Sequence, residues 1–318
     1  MSVSSRRLTV LGSFMQASCW EMTRLPQASE SLDATGFWTA LAGKGLAVAA
    51  GCHRLGAEVD LLLAVGQDAA GDAVLAWLAG ERLSTRYVRR HAGPSGQGAG
   101  WLTPDGLNAI ATFQGANAHL DAQQVAQAAP ALEAARLVYA QFETPPDAAL
   151  AAFTLAQRAG ACTVLNPSPW TPPDRRLLAQ TQILLVNALE MQRLLPQAAL
   201  SAATPLPEWV RALEPCWQSW PGGAQRRLVV TLGAQGSLAF APDGRAHHAP
   251  ALPVRAVDSI GAGDAFAAGL CTAWIEGLPL PQALRRGNAC GAFAVSRRGI
   301  LEGLPTAGEV DALLRSAA

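Results

Sequence analysis

The sequence has no excess of charge of either sign. Its 24 Lys and Arg side chains are matched by 24 Asp and Glu, which removes the electrostatic reason to expect a nucleic-acid partner or an anionic membrane surface. No stretch approaches the ~18 consecutive apolar residues of a membrane span. Its six cysteines (Cys19, Cys52, Cys162, Cys216, Cys271 and Cys290) form no Cys-x-x-Cys pair, and no histidine stands at zinc-site spacing. They read as core thiols in a reducing cytosol. Ser5-Arg6-Arg7-Leu8 faintly resembles a twin-arginine export signal, but the apolar run after it ends within about eight residues, so a first β-strand is the expectation. Internal repeats and low-complexity segments are also lacking. A small-molecule ligand is the default that survives these exclusions.

What is present is enough apolar material for a full core, half of 318 residues being hydrophobic. Arg7 to Phe14 predicts a buried strand. Gly43-Lys44-Gly45 opens a helix over Leu46 to Leu55 that Gly56 stops. Ala57 to Val65 predicts a second strand, followed by the turn Gly66-Gln67-Asp68 and a helix from Ala69 to Ala79. Alternation resumes with strands at Leu137 to Ala140, Cys162 to Leu165, Ile183 to Val186 and Leu228 to Leu232, and a helix over Asp147 to Arg158. A hairpin is expected at Pro242-Asp243-Gly244, then helices over Ala265 to Ile275 and Pro281 to Ser296. Short apolar strands separated by helices imply an α/β fold: a doubly wound, mostly parallel sheet with helices on both faces. Residues 15–38 and 93–113 break the rhythm, being rich in Gly, Ser and Thr. They are expected to form one small β-lid on a core of residues 1–14, 39–92 and 114–318.

Chemistry concentrates in Asp258-Ser259-Ile260-Gly261-Ala262-Gly263-Asp264-Ala265-Phe266. Glycines at 261 and 263 allow a tight turn with bare N–H groups at a helix mouth, where the dipole favours an anion. Asp264, on the first turn, is placed to meet a hydroxyl attacking a phosphate held there. Taken alone, it reads first as an aspartate on the first turn that merely complements the dipole. A dinucleotide fingerprint fits poorly, since it needs glycine where Phe266 stands. Gly43-Lys44 is no Walker A loop, which would need Gly at Trp38 and Ser or Thr at Gly45.

That nonapeptide resembles the C-terminal signature of the ribokinase-like (PfkB) carbohydrate kinases. Ala42-Gly43-Lys44-Gly45, Arg54-Leu55-Gly56 and Val65-Gly66-Gln67-Asp68-Ala69-Ala70-Gly71 resemble their N-terminal signature. Gly115-Ala116-Asn117, Gln141-Phe142-Glu143-Thr144-Pro145 and Leu165-Asn166-Pro167 are similar to segments of the ribokinase-type members, in order. The resemblance runs from Leu8 to about Pro305.

It implies an ATP-dependent kinase acting on a sugar hydroxyl, with Mg²⁺ and K⁺ as ions and a lid that closes over the sugar and could pair two chains into a homodimer. Asp264 would be the general base and Gly261, Ala262 and Gly263 the anion hole. Asn187, Thr231, Gly233, Gly236 and Asn288 would meet the nucleotide, and Glu190 would hold Mg²⁺ through water. Asp258 and the Ile260 carbonyl would bind the monovalent cation, and Gly43, Lys44 and Glu143 would line the acceptor site.

The departures fall on the acceptor side. Ribokinase-type enzymes carry polar sugar anchors where Met15, Ala17 and Ala47 stand. Each buried partner left unpaired costs on the order of 1–3 kcal/mol, which weighs against ribose itself. Together with the lid aromatics Trp20, Phe37, Trp38 and Trp101, these positions suggest a more apolar pocket, although aromatics in a small lid also serve as its packing core. The expected acceptor is a primary hydroxyl of a sugar, or of a less polar sugar-containing molecule such as a nucleoside. The alternative is a binding or regulatory protein that kept the fold and lost phosphoryl transfer.

Overall fold

The computed structural model describes residues 6–104, 108–218 and 225–317, the side chains of Asn108, Cys216 and Gln218 excepted. The cysteine expectation for Cys216 therefore lies outside the described residues. Along the chain run strands β1 (Arg7–Leu11), β2 (Met15–Glu21), β3 (Gly36–Ala42), β4 (Glu58–Gly66), β5 (Val88–His91), β6 (Gly96–Leu102), β7 (Asn108–Phe113), β8 (Leu137–Gln141), β9 (Cys162–Asn166), β10 (Ile183–Asn187), β11 (Arg227–Thr231), β12 (Ser237–Phe240) and β13 (Ala246–Ala249).

Among the described residues these strands build two sheets, in the orders β13-β12-β11-β10-β9-β8-β1-β4-β5 and β3-β2-β6-β7. The first is parallel except at β12 and β13, which form the hairpin expected at Pro242-Asp243-Gly244.

Side-chain alternation sorts the large sheet's apolar residues into two cores. Leu8, Val10, Leu137 and Tyr139 join one cluster with Ala47, Ala268 and Leu284. Leu11, Val138 and Ala140 join the other with Phe153, Met191 and Trp209. Period-two strands with both faces covered give the near-continuous apolar runs that the sequence displays. The helices Lys44–Arg54, Ala262–Ile275 and Leu280–Val295 cover one face, and Pro146–Arg158, Ala188–Leu194 and Leu206–Gln218 the other.

Several boundaries differ from expectation. The first strand ends at Leu11, not Phe14. Gly12 still donates its N–H to the Leu62 carbonyl, but the chain then turns away at Ser13. Strand β3 runs to Ala42, past the lid edge expected at residue 38, because its pairing with β2 continues until Met15 faces Ala42. Strand β5 was not anticipated: Arg89 and Arg90 interrupt an apolar pattern that an edge strand does not need. The helix Leu206–Gln218 was missed because Pro215 lies inside it.

In a doubly wound sheet, ligands gather beyond the C-terminal strand ends where the winding reverses. Here the chain winds outward from β1 through β4 to β5, then from β8 through β11 in the opposite direction, so the reversal lies between β1 and β8.

Two helices beside that reversal pack closely, and Gly51 lies against Ala268. A Cβ on Gly51 would stand 2.7 Å from the Ala268 Cβ. Gly51→Ala gains up to about 1 kcal/mol of helix propensity but overpacks a helix contact at roughly 1–3 kcal/mol. The expected outcome is a lower midpoint in urea or thermal denaturation.

Candidate active site

The segments after β1 and β8 meet at the reversal. Ser13 Oγ donates to Glu143 Oε2 at 2.6 Å, and the Lys44 N–H donates to the same oxygen at 2.8 Å. The Gly45 N–H donates to Ser13 Oγ at 3.1 Å. A buried carboxylate thus caps the helix Lys44–Arg54 directly and through a serine, which suits the positive end of its dipole. Gly43 has φ 124°, and a Cβ there would collide with the Ser13 carbonyl. The Gly43-Lys44-Gly45 turn is therefore fixed by close backbone approach. Ser13 had no role in the sequence reading; its only signal there was its position just beyond the first strand.

Gly261 caps the helix Ala262–Ile275 in a left-handed conformation (φ 80°) and lies against Ile300. Gly263 is helical, contrary to its expected role in the turn. A Cβ there would meet nothing within 4 Å, so glycine keeps space open rather than bending the chain. The Ala262 N–H makes only a long bond to the Ser259 carbonyl at 3.4 Å. The first-turn N–H groups lack intrahelical acceptors and point toward that space.

Asp264 is buried on the first turn, with Oδ1 3.9 Å from Lys44 Nζ. Burial pushes its carboxyl up to about 6, the Lys44 charge opposes this, and Glu143 and Glu190 add to it. Lys44 is held above its usual range, chiefly by the Asp264 carboxylate. Asp264 and Lys44 come from opposite ends of the sequence and are brought together by the contact between their helices.

Asn187 and Glu190 form a reciprocal capping box on the helix Ala188–Leu194. Asn187 Oδ1 accepts from the Glu190 N–H at 2.8 Å, and Glu190 Oε2 accepts from the Asn187 N–H at 2.9 Å. Glu190 is only 5% exposed and is not the solvated charge that its spacing alone suggests.

Asp258 Oδ1 accepts from the Ile260 N–H at 2.9 Å, an Asx turn that orders the backbone before Gly261.

Thr231, Gly233, Gly236 and Asn288 line one cavity of about 580 Å³ with Ala262 and Gly263, so the expected nucleotide residues converge on the helix mouth. Asn187 stands apart from that lining. The Asn288 amide donates to the carbonyls of Ala249 at 2.8 Å and Pro250 at 3.0 Å, leaving Oδ1 as its remaining polar atom. Gly236 (φ 88°) is required because a Cβ would strike the Ala249 carbonyl. The walls are otherwise apolar (Leu252, Val254, Phe266, Val295), and the cavity's size and polarity fit a nucleotide base whose phosphates reach the helix mouth. No group of three or more His, Cys, Asp or Glu suited to a metal occurs among the described residues.

On the acceptor side, Met15 is buried and Ala17 partly exposed. Ala47 has no exposed surface and belongs to the core, which removes it from the candidate contacts.

Strand alternation also divides the lid aromatics. Trp20, Phe37 and Trp101 share one face with Phe113, ring centroids lying 5.2 Å (Trp20–Phe37) and 6.0 Å (Trp20–Trp101) apart. The other face carries Met15, Ala17, Cys19, Trp38, Ala40, Gly98 and Gly100. Met15 and Cys19 on it are 5% and 8% exposed, against 59% for Phe37 on the first face, so this second face is the inward one; burial, with the Asp258 carboxylate adding to it, pushes the Cys19 thiol up. Of the aromatics expected in the pocket, only Trp38 lies on it.

A model of the pfkB family of carbohydrate kinases matches residues 5–307. The chain is 29% identical over 303 residues to the ribokinase of Mus musculus, covering 94% of this chain and 91% of that protein. It is 28% identical over 309 residues to the ribokinase of Bacillus subtilis (strain 168), covering 97% and 99%. The structure of Arabidopsis thaliana ribokinase complexed with ribose and ATP superposes with a TM-score of 0.87 at 26% identity, covering 98% of this chain and 99% of that one.

Because the Asp264 carboxyl is raised from 3.8 to about 6, the folded state holds a proton that the unfolded chain has lost between those values. The associated stability is complete below about pH 4 and is lost as pH rises through about 6. Asp264→Asn cannot ionise. Its stability relative to the wild type is therefore expected to climb by up to about 3 kcal/mol between pH 4 and pH 7 in urea denaturation.

Proposed function

The chain belongs to the pfkB family of carbohydrate kinases, which are ATP-dependent phosphotransferases, and we propose that its acceptor is a sugar or sugar-containing molecule less polar than ribose. The observation that carries the reaction is Asp264, buried on the first turn of a helix whose mouth closes a base-sized cavity, 3.9 Å from the Lys44 ammonium. Asp264 takes the proton of the acceptor hydroxyl as its oxygen attacks the γ-phosphorus. The bond to the β-phosphate oxygen breaks and ADP leaves. The N–H groups of Gly261, Ala262 and Gly263, with Lys44, receive the charge of the transferring group. A carboxyl near 6 is ionised at neutral pH yet basic enough to accept the proton.

Bound Mg²⁺ neutralises phosphate charge; Glu190, buried nearby, would orient its water. Asp258 and the Ile260 carbonyl would hold K⁺, their Asx turn keeping the carbonyl in place. Five described cysteines are buried free thiols and no described helix is long and apolar enough to cross a membrane, which supports a cytoplasmic setting.

The acceptor reading rests on the inward lid face. Met15, Ala17, Ala40 and Gly98 offer no side-chain partner to hydroxyls, and Glu143 Oε2 is already committed to Ser13 and Lys44. The test is a panel of pentoses, deoxysugars, hexoses and nucleosides with ATP, Mg²⁺ and K⁺, read by mass spectrometry. A deoxysugar or nucleoside should exceed D-ribose in kcat/KM by about tenfold or more. Asp264→Asn should lose at least ~10²-fold in kcat. D-ribose as best acceptor would overturn the acceptor assignment, and full turnover by Asp264→Asn the assignment of the base. In the same assay, an unchanged rate with Na⁺ in place of K⁺ would leave Asp258 its turn alone.

We further infer that the outward lid face pairs two copies of the chain. Phe37, 59% exposed, lies beside Trp20 and Trp101, and Phe113, 57% exposed, lies opposite Gln97 toward the other end of the same face, so the face carries two exposed apolar anchors suited to an isologous contact. Sedimentation should give a dimer that Phe37→Ser with Phe113→Ser converts to monomer; a monomeric wild type would refute the pairing.

A further inference from the structure

The lid joins the core at four chain crossings, beside Phe14, Ala42, Ser95 and Phe113. Two of them are tied by side chains from the core. Asn117 receives the Phe14 N–H on Oδ1 at 2.9 Å and donates from Nδ2 to the Phe14 carbonyl at 2.7 Å, imitating a strand partner for one residue. Asp68 receives the Ser95 N–H on Oδ2 at 2.7 Å and the Ser95 hydroxyl on Oδ1 at 2.6 Å, while Ser95 Oγ accepts from the Gly66 N–H at 2.9 Å.

The two tied residues are neighbours in register. Phe14 precedes Met15 and Ser95 precedes Gly96, and Met15 pairs with Gly96 as the first rung of the central, parallel strands of the lid. The remaining two crossings pass through glycines of positive φ, Gly43 at 124° and Gly115 at 50°. The packing leaves no slack: a Cβ on Gly66 would strike the Ser95 N, and one on Gly96 would strike Asn117 Nδ2.

We propose that Asp68 and Asn117 are positioning residues that hold β2 and β6, and with them the acceptor-facing side of the lid, in place over Asp264. Neither hydrogen-bonds to Asp264, Lys44 or Glu143, and neither lines the nucleotide cavity, although Asn117 Nδ2 also lies 3.8 Å from the Met15 sulfur. Their side chains fix the two inner strands at the root, and the glycine crossings let the outer strands follow. The Gly66-Gln67-Asp68 and Gly115-Ala116-Asn117 segments of the sequence thereby acquire a physical task. This inference rests on the kinase reading for its effect on turnover, but not for its effect on the lid.

The variants are Asp68→Asn, which turns one of its two accepting oxygens into a donor, and Asn117→Asp, which replaces the donor to the Phe14 carbonyl with an oxygen. Ser95→Ala, which keeps the backbone bond to Asp68, serves if Asp68→Asn does not fold. Hydrogen exchange of the full chain without ligand is followed in β2, β6 and β8. Exchange in β2 and β6 should rise roughly tenfold or more, with β8 unchanged, as expected for local opening. Steady-state assays use ATP with 2-deoxy-D-ribose and with adenosine as probe acceptors. The acceptor KM should rise about tenfold, with the KM for ATP within about twofold. Unchanged lid exchange, equal acceleration of lid and core, or parallel rises in both KM values would overturn the proposal. If the wild type phosphorylates neither probe, that result counts against the acceptor reading, and the exchange data alone decide the role of Asp68 and Asn117.

Discussion

The carboxylate of Glu143 is the interaction on which the arrangement of the site depends. It lies where the sheet reverses its winding, is only 8% exposed, and joins the segments after β1 and β8 through Ser13 while capping the helix that begins with Lys44. Burying a carboxylate is costly unless donors are supplied, and here a hydroxyl and a helix N-terminus supply them. The same contacts fix the position of Lys44. Because the Lys44 helix packs through Gly51 on the helix bearing Asp264, backbone packing sets the two helix starts close enough for the ammonium to reach the carboxylate.

Around that ammonium stand three acidic groups with different duties. Glu143 is tied to a helix start, Glu190 to a capping box, and Asp264 has Lys44 as its charged partner. Burial disfavours the charge of Asp264, and the nearby Glu143 and Glu190 carboxylates add to that, so the group next to the helix mouth becomes more basic. Structural and chemical roles share one electrostatic environment: burial sets the direction of the shift on the chemical carboxylate, and the structural ones add to it.

Much of this was legible in the sequence because it is local. The apolar strands Leu137–Gln141 and Ile183–Asn187, the helix opened by Gly43-Lys44-Gly45 and the turn before Asp264 each carry their signal within a few residues. What escaped is either long-range or depends on register. Ser13 and Glu143 are 130 residues apart, and nothing local announces their bond. The lid aromatics looked like one set until the pairing of Trp20 with Phe37 and of Cys19 with Trp38 assigned them to opposite faces. Strand β5 was hidden by its arginines, and Pro215 masked a helix. Asp68, read in the sequence only as a turn residue, gave no sign that it holds Ser95.

The two sheets differ in how they end. The large sheet terminates in β5 and β13, four residues each, with the sequences Val-Arg-Arg-His and Ala-His-His-Ala, so its unpaired backbone groups are few and flanked by basic side chains. The small sheet terminates in β3 and β7, seven and six residues long and bearing Phe37, Trp38, Ile110 and Phe113. Long apolar edge strands are templates for further strands. Colloidal stability in this molecule is therefore a property of the lid: the catalytic scaffold is protected at its margins, and the small sheet that shapes the acceptor site also carries the surface most prone to intermolecular β-pairing.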